Sequence, residues 1–299
     1  MNWQKLGRIY VPDDGEAWGL SHAANPVAEH RGGDVFRIYF STRDLRNRSS
    51  IGWIDIDITD PQTILAKAQE PALSPGDIAM FDDSGVSIGC IVPVGEKRYL
   101  YYMGWRLMVT TPWQNTLGLA VSDGPDQPFR RLSRFPLFEF DETDPYTVSY
   151  PWIMHDQSKF RMWYGSSTAW GAELRDMRHL LKYAESDDGV TWRRENLVAI
   201  GFSGPDEYAI CKPCVVRDED CYRMWFCSRG DAYRIYYAES RDGLTWRREA
   251  GPDLDVSASG WDSHMVEYPF VFDHKGERYM LYCGDGLAKA GFGLAILEQ

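Results

Sequence analysis

The side chains that could do chemistry in this chain recur at fixed distances from a proline. Asn25-Pro26, Tyr150-Pro151, Lys212-Pro213 and Tyr268-Pro269 are four copies of one position, and Gly89-Cys90 is the fifth, with Cys90 standing for the proline. One residue further upstream come Ala24, Ile88, Ser149, Cys211 and Glu267. Seven residues before the proline or its equivalent come Asp83, Asp144, Asp206 and Asp262. Carboxyl groups serve as general acids and bases, so Glu267 is a candidate acid and Asp83, Asp144 or Asp262 a candidate partner. Spacing leaves open which of the three it is. His22, Arg43, Lys212, Arg229 and His264 form a set of cationic or ionisable groups suited to an anion. Asn25, Trp105, Tyr150 and Trp170 add an amide and flat rings, which suit hydroxyl groups and the faces of sugar rings.

Each candidate also has a purely structural use. A lone carboxyl such as Glu267 at the axial end of a strand is costly unless paired, and Lys212 or His264 could pair it. His22 and His264 could tie neighbouring loops together, and Trp105 and Trp170 could be core. An aspartate recurring at one register points to turn or strand-capping duty in at least two copies. Lys212 has little exposed surface to escape to, so it is expected to meet an anion or a carboxylate. Cys211 and Cys214 have the spacing of half a zinc site, but no second pair accompanies them. The six cysteines are therefore read as small reduced residues, with no disulfide, no structural zinc, no other metal and no cofactor expected.

These groups must be positioned by a repeat. Phe36-Arg-Ile-Tyr-Phe40, Arg98-Tyr-Leu-Tyr-Tyr102, Phe160-Arg-Met-Trp-Tyr164, Tyr222-Arg-Met-Trp-Phe226 and Arg278-Tyr-Met-Leu-Tyr282 start about 60 residues apart and account for the whole length. Each follows an apolar strand and a short polar hairpin, and each leads to a third strand. Tyr183-Ala-Glu-Ser-Asp-Asp-Gly-Val-Thr-Trp192 and Tyr237-Ala-Glu-Ser-Arg-Asp-Gly-Leu-Thr-Trp246 then turn into an outer strand. Their Asp-Gly pairs make the turn, Ser and Thr satisfy its backbone, and Trp192 and Trp246 are expected between repeats. The turns resemble the Asp boxes of sialidases but lack the residue between Asp and Gly, and no chemistry is assigned to them. No segment sustains a 3.6-residue period. The pattern predicts an all-β chain: a five-bladed β-propeller of four-stranded antiparallel blades, one domain over residues 1–299. The last repeat offers only three strands, so Trp3–Tyr10 is expected to supply the fourth and close the ring.

A formal charge of −12 with no Lys/Arg block argues against nucleic acid as the ligand. No apolar run reaches the ~18–20 residues of a spanning helix, and the N-terminus lacks a secretory signal core, so a cytoplasmic protein without a membrane role is expected.

The blade grammar, Glu267-x-Pro269 followed by Lys275-Gly-Glu-Arg-Tyr-Met-Leu-Tyr282, and the two Tyr-Ala-Glu-Ser-x-Asp-Gly-x-Thr-Trp segments resemble the five-bladed glycosidase superfamily. That group includes glycoside hydrolase families 43, 32, 68, 117 and 130. More closely, Ser21-His-Ala-Ala-Asn-Pro26, Tyr39-Phe-Ser-Thr-Arg-Asp44, Ser50-Ile-Gly-Trp-Ile-Asp55 and Trp261-Asp-Ser-His-Met-Val-Glu-Tyr-Pro269 resemble glycosidase-like proteins associated with surface polysaccharide genes. The resemblance covers essentially the whole chain and implies cleavage of a glycosidic bond in a bacterial polysaccharide or oligosaccharide, with Glu267 as general acid. Family 43 places an Asp base on blade one, a tuning Asp on blade three and a Glu acid on blade four. The matching positions here hold Asn25, Tyr150 and Cys211-Lys212. Two alternatives follow: a phosphorylase of the family 130 kind, with phosphate as nucleophile held by the cations, or a sugar-binding or polysaccharide-assembly protein that has lost catalysis. The same cations would also suit an anionic sugar. Some family 43-like propellers hold an axial cation beside a histidine, a part His22 or His264 could play, but no hard-oxygen cluster is visible by spacing.

Overall fold

A computed structural model describes residues 1–13, 15–156, 158–173 and 176–298. The described chain is all β, without an α-helix. After β1 (Trp3–Tyr10), the alternating aromatic segments become hairpins and meanders. They are β2 (Ser21–Gly32), β3 (Val35–Arg43), β4 (Ser49–Asp57) and β5 (Asp60–Lys67), then β6 (Gly85–Val94), β7 (Lys97–Leu107), β8 (Trp113–Ser122) and β9 (Arg130–Arg131). Next come β10 (Val148–Asp156), β11 (Lys159–Ala169), β12 (Arg178–Ser186) and β13 (Trp192–Ile200), followed by β14 (Ala209–Arg217), β15 (Tyr222–Arg229), β16 (Tyr233–Ser240) and β17 (Arg247–Arg248). The last are β18 (Glu267–His274), β19 (Glu277–Cys283) and β20 (Phe292–Leu297). Neighbours within each set pair antiparallel, and single parallel bridges, Ser49 to Gly85 and His179 to Ala209, tie sets into two larger sheets. The final three strands take β1 as their outer partner, with Trp3 opposite Leu297 and Tyr10 opposite Phe292. The first strands of successive sets, β2, β6, β10, β14 and β18, touch in cyclic order, β18 returning to β2.

The space between sets is filled by rings. Trp163, Trp225, Tyr101, Tyr102, Tyr164 and Tyr282 are fully buried, each burying ~150–250 Å². The Ser-x-Asp-Gly turns act as anchors for them. Ser186 Oγ accepts the amides of Asp188 and Gly189, while Asp188 Oδ1 accepts those of Val190 and Thr191. Gly189, at φ +73°, then presents its carbonyl to the Tyr101 hydroxyl of the preceding set at 2.9 Å. Gly243 does the same for Trp163 Nε1, also at 2.9 Å. Both positions need the left-handed backbone that glycine adopts without a Cβ penalty. Trp192 packs edge-on to Tyr101 and Trp246 edge-on to Trp163, between sets as the sequence suggests.

Thiols tie neighbouring sets together at their inner strands. Cys90 Sγ accepts the Ile153 amide, Cys214 Sγ that of Val271, and Cys227 Sγ that of Tyr268. Cys283 donates to the Ala23 carbonyl. All six cysteines are free thiols, and five of them are buried.

Candidate functional site

Every inner strand breaks register at the same place. The breaks lie between Ala24 and Val27, Ile88 and Cys90, Ser149 and Trp152, Cys211 and Cys214, and Glu267 and Phe270. A bulge bends a strand and re-aims one side chain. Here the re-aimed residues are those before the prolines, and Asn25, Tyr150, Lys212 and Tyr268 all take left-handed φ between +46° and +56°. For residues other than glycine that conformation costs ~1–2 kcal/mol each, so the repeat holds its strain at the axial positions. Gly89 fills the fifth. A Cβ there would stand 2.6 Å from Pro151 Cγ, and the Gly89 carbonyl accepts Lys212 Nζ at 2.8 Å.

The bulges gather one cluster. Glu267 is 0% exposed, and neither carboxyl oxygen closes a hydrogen bond among the described residues. Burial, reinforced by Cys211 and Asp285, pushes its pKa well above the glutamate range, against the pull of Arg229 and the nearby Ala288 amide. The shift is towards the neutral acid. Tyr150 and Tyr268 lie against it, their rings stacked at 5.7 Å and their hydroxyls 3.4 Å apart. Arg43 neighbours both tyrosines and sits over the Trp105 ring at 5.5 Å. Burial, with Arg43 and Lys289, presses the His22 pKa down to about 4. Arg229 lies over Tyr208 and Tyr233, at 5.7 and 5.2 Å. Cys211 occupies the register of Glu267 one set earlier. Burial would raise its thiol, but Cys227, His179 and Tyr233 within hydrogen-bonding reach outweigh it and bring the pKa to about 6.

Other candidates have different occupations. Asp144 is wholly buried and takes ion pairs from Lys182 at 2.9 Å and Arg194 at 3.0 Å, plus the Tyr164 hydroxyl. Asp262 pairs with Lys5 at 2.7 Å and accepts the Tyr282 hydroxyl. Asp82 meets Arg131 and Tyr102 in the same way, and Glu207 meets Arg248 and Ser228. This clamp ties a loop carboxyl to the second strand and to an outer-strand cation. In two sets it uses the residue beside the expected aspartate, Asp82 rather than Asp83 and Glu207 rather than Asp206. Asp83 itself caps a turn through Ala79 and Ser84. Lys212 meets a carbonyl rather than a charge, with Cys214, Cys90, Cys227 and Cys283 around it, and burial lowers its pKa. Thus neither Lys212 nor His264 pairs with Glu267. His264, with an 82% exposed side chain, stands at the rim with Nδ1 3.0 Å from Asp285. Asn25 is buried with Oδ1 unpartnered among the described residues. Trp105 donates to Ser49 and backs Arg43, whereas Trp170 bonds to the Trp113 carbonyl and packs edge-on against that ring.

Asp285 stands in the sequence with the charged residues that leave the second strands for the axial face, but it is not among the candidate acids and bases read from the spacing. Burial alone would raise it, but His264 and the amides of Met265 and His264 hold its carboxyl below the usual range. It acts on Glu267 electrostatically. The cluster therefore joins one carboxyl shifted towards its neutral form to one shifted towards its charged form. Its signal is an acid two residues past β19, whose last residue, Cys283, pairs with Glu267. Among the described residues no group of three or more His, Cys, Asp or Glu is arranged to hold a metal ion, and no helix is long and apolar enough to cross a membrane.

The architecture defines the fold class. The chain has the fold of the propeller glycosidases: it is similar to a glycosyl hydrolase from Bacteroides ovatus, at 13% identity and TM-score 0.75, over 99% of this chain and 94% of that one. It is also similar to a thermostable family-43 glycoside hydrolase, at 16% identity and TM-score 0.67, covering 96% and 90%. A third likeness is to BT0996 in an RGII complex, at 18% identity and TM-score 0.76, covering 98% and 90%. No family model matches the chain. By sequence it belongs to the family of the uncharacterised proteins MT1551 and Rv1502 of two Mycobacterium tuberculosis strains, each 54% identical over the full length of both chains.

Proposed function

We propose that the five strand sets are the blades of a five-bladed propeller and that its axial mouth cleaves a glycosidic bond. The observation that carries this reading is the Glu267 carboxyl, fully buried, unpartnered among the described residues and favoured in its neutral form beside Arg229. Such a group is poised to protonate a leaving oxygen. Asp285, favoured in its charged form, would take a proton from water as the water attacks the anomeric carbon from the opposite face. The products are an alcohol and a reducing sugar of inverted configuration. Because Glu267 is fully buried, a sugar reaches it only when the side chains covering it move.

The test uses aryl glycosides with good and poor leaving groups. Glu267→Gln is expected to lose ~10²–10⁴-fold with poor leaving groups and much less with nitrophenyl ones, which need no acid. Equal turnover by variant and wild type on both substrates sinks the assignment. One observation favours phosphorolysis as a second reading: both Asp285 oxygens already accept hydrogen bonds, from the His264 and Met265 amides, the His264 ring and Ser263. In that case Asp285→Asn is harmless, turnover requires phosphate, and a sugar 1-phosphate forms. The covered state of Glu267 favours a third reading, binding without catalysis, in which both variants keep ligand affinity and no product ever forms.

A further inference from the structure

We propose that the mouth is built for an acidic sugar, whose anionic group is held between Arg43 and Arg229. The inference rests on the reading of this mouth as a glycan site. In a chain of formal charge −12, a buried or half-buried arginine has carboxylates to choose from, and most take one: Arg37 with Asp55, Arg98 with Glu29, Arg194 with Asp144, Arg248 with Glu207 and Arg278 with Asp218. Arg43 and Arg229 do not. Among the described residues neither forms an ion pair; Arg43 gives one bond to the Asn47 side-chain oxygen at 2.8 Å, and the buried Arg229 Nε has no acceptor. Both guanidinium groups are instead braced by rings, Trp105 under one and Tyr208 with Tyr233 under the other. A desolvated cation without a counter-charge is costly unless a ligand supplies it.

The surroundings do not supply it. Glu267 forms no ion pair with either arginine among the described residues and is shifted towards its neutral form, Asp285 is occupied by His264 and two amides, and Asp44 is spent on Arg48. Lys289 adds positive potential on the His22 side. Two rigid forks backed by aromatic rings match a carboxylate or a phosphoryl group better than they match hydroxyls. The Tyr150 and Tyr268 hydroxyls beside Arg43 would then meet the neutral part of the ring.

The experiment measures binding, independently of turnover. Glucuronate, galacturonate, mannuronate and hexose 6-phosphates are titrated calorimetrically against their neutral parent hexoses and against inorganic phosphate. At least one acidic sugar is expected to bind roughly tenfold or more tighter than its parent, and 0.3 M NaCl should narrow the gap. Whether uronates or sugar phosphates win identifies the anion. Arg43→Gln and Arg229→Gln should each abolish the advantage, while Arg43→Lys, which keeps the charge without the fork, should lose part of it. The proposal falls if no acidic sugar outbinds its parent, if both Gln variants keep the advantage while folded, or if inorganic phosphate alone binds as tightly as the best sugar. Absence of cleavage with the acidic advantage intact would sink the catalytic reading and leave this one standing.

Discussion

Glu267 carries a stability signature as well as a chemical one. Its folded pKa stands above the unfolded value near 4.5, raised first by burial. Below that pH the carboxyl is neutral in both states and costs nothing. As pH rises through the window up to the folded pKa, the unfolded chain releases the proton and the folded chain does not, so stability falls by about 1.4 kcal/mol per pH unit. Glu267→Gln removes this penalty. The variant is expected to unfold at a higher temperature than wild type at pH 7, with the gap closing towards pH 4.5; a constant or reversed gap would show a carboxyl that ionises freely. A reaction using this acid with Asp285 as base would have a bell-shaped pH profile, falling on the alkaline side as Glu267 deprotonates and on the acid side as Asp285 protonates. The residue types mark Glu267 by its register before Tyr268-Pro269. What register does not encode is which carboxyl has a cation waiting. Asp144 shares its register with three other aspartates and Asp285 does not, yet only the side chains that arrive from other elements, Lys182 and Arg194 against His264, separate their roles.

At the scale of elements, the recurring clamp and the recurring bulge have opposite energies. The clamp stabilises: Asp144 holds β11 through Tyr164, β12 through Lys182 and β13 through Arg194. Asp144→Ala would leave the buried Lys182 without its carboxylate and the half-buried Arg194 with Asp141 alone, a loss of ~3–5 kcal/mol, to be read by urea denaturation. A change below about 1 kcal/mol would mean that water replaces the carboxylate. Asp83→Ala, which removes only a turn cap, should cost ~1 kcal/mol or less by comparison. The bulge instead stores strain, and it does so where the cluster forms. Its position was readable from the prolines. Its left-handed residues were not, because a proline constrains its predecessor towards extended backbone. The fold overrides that preference on four inner strands and places a glycine on the fifth. Gly89→Ala is expected to disrupt the contact with Pro151 and displace Lys212 from its one acceptor, measurable as a lowered melting temperature in a protein that otherwise keeps its β spectrum.

At the scale of the whole molecule, closure depends on β1. The sequence announced it through a last repeat with one strand too few, and the pairing of Trp3–Tyr10 with Phe292–Leu297 meets that expectation. Trp3 also donates to Asp253 and packs edge-on to Trp225, so the strand is fastened on two sides. Deleting residues 1–10 would expose the β20 edge and unburden Asp262 of Lys5. Light scattering should then show association at concentrations where the full chain stays monodisperse, and an unchanged, soluble deletion variant would contradict the need for the strand. The pairing of β1 with β20 also sets a clock during synthesis. About 280 residues separate the two strands, which at ~5–20 residues per second keeps β1 waiting for tens of seconds on the ribosome. Through that interval its apolar side has no native partner, and a cell making this protein quickly must shield the waiting segment or lose chains to one another.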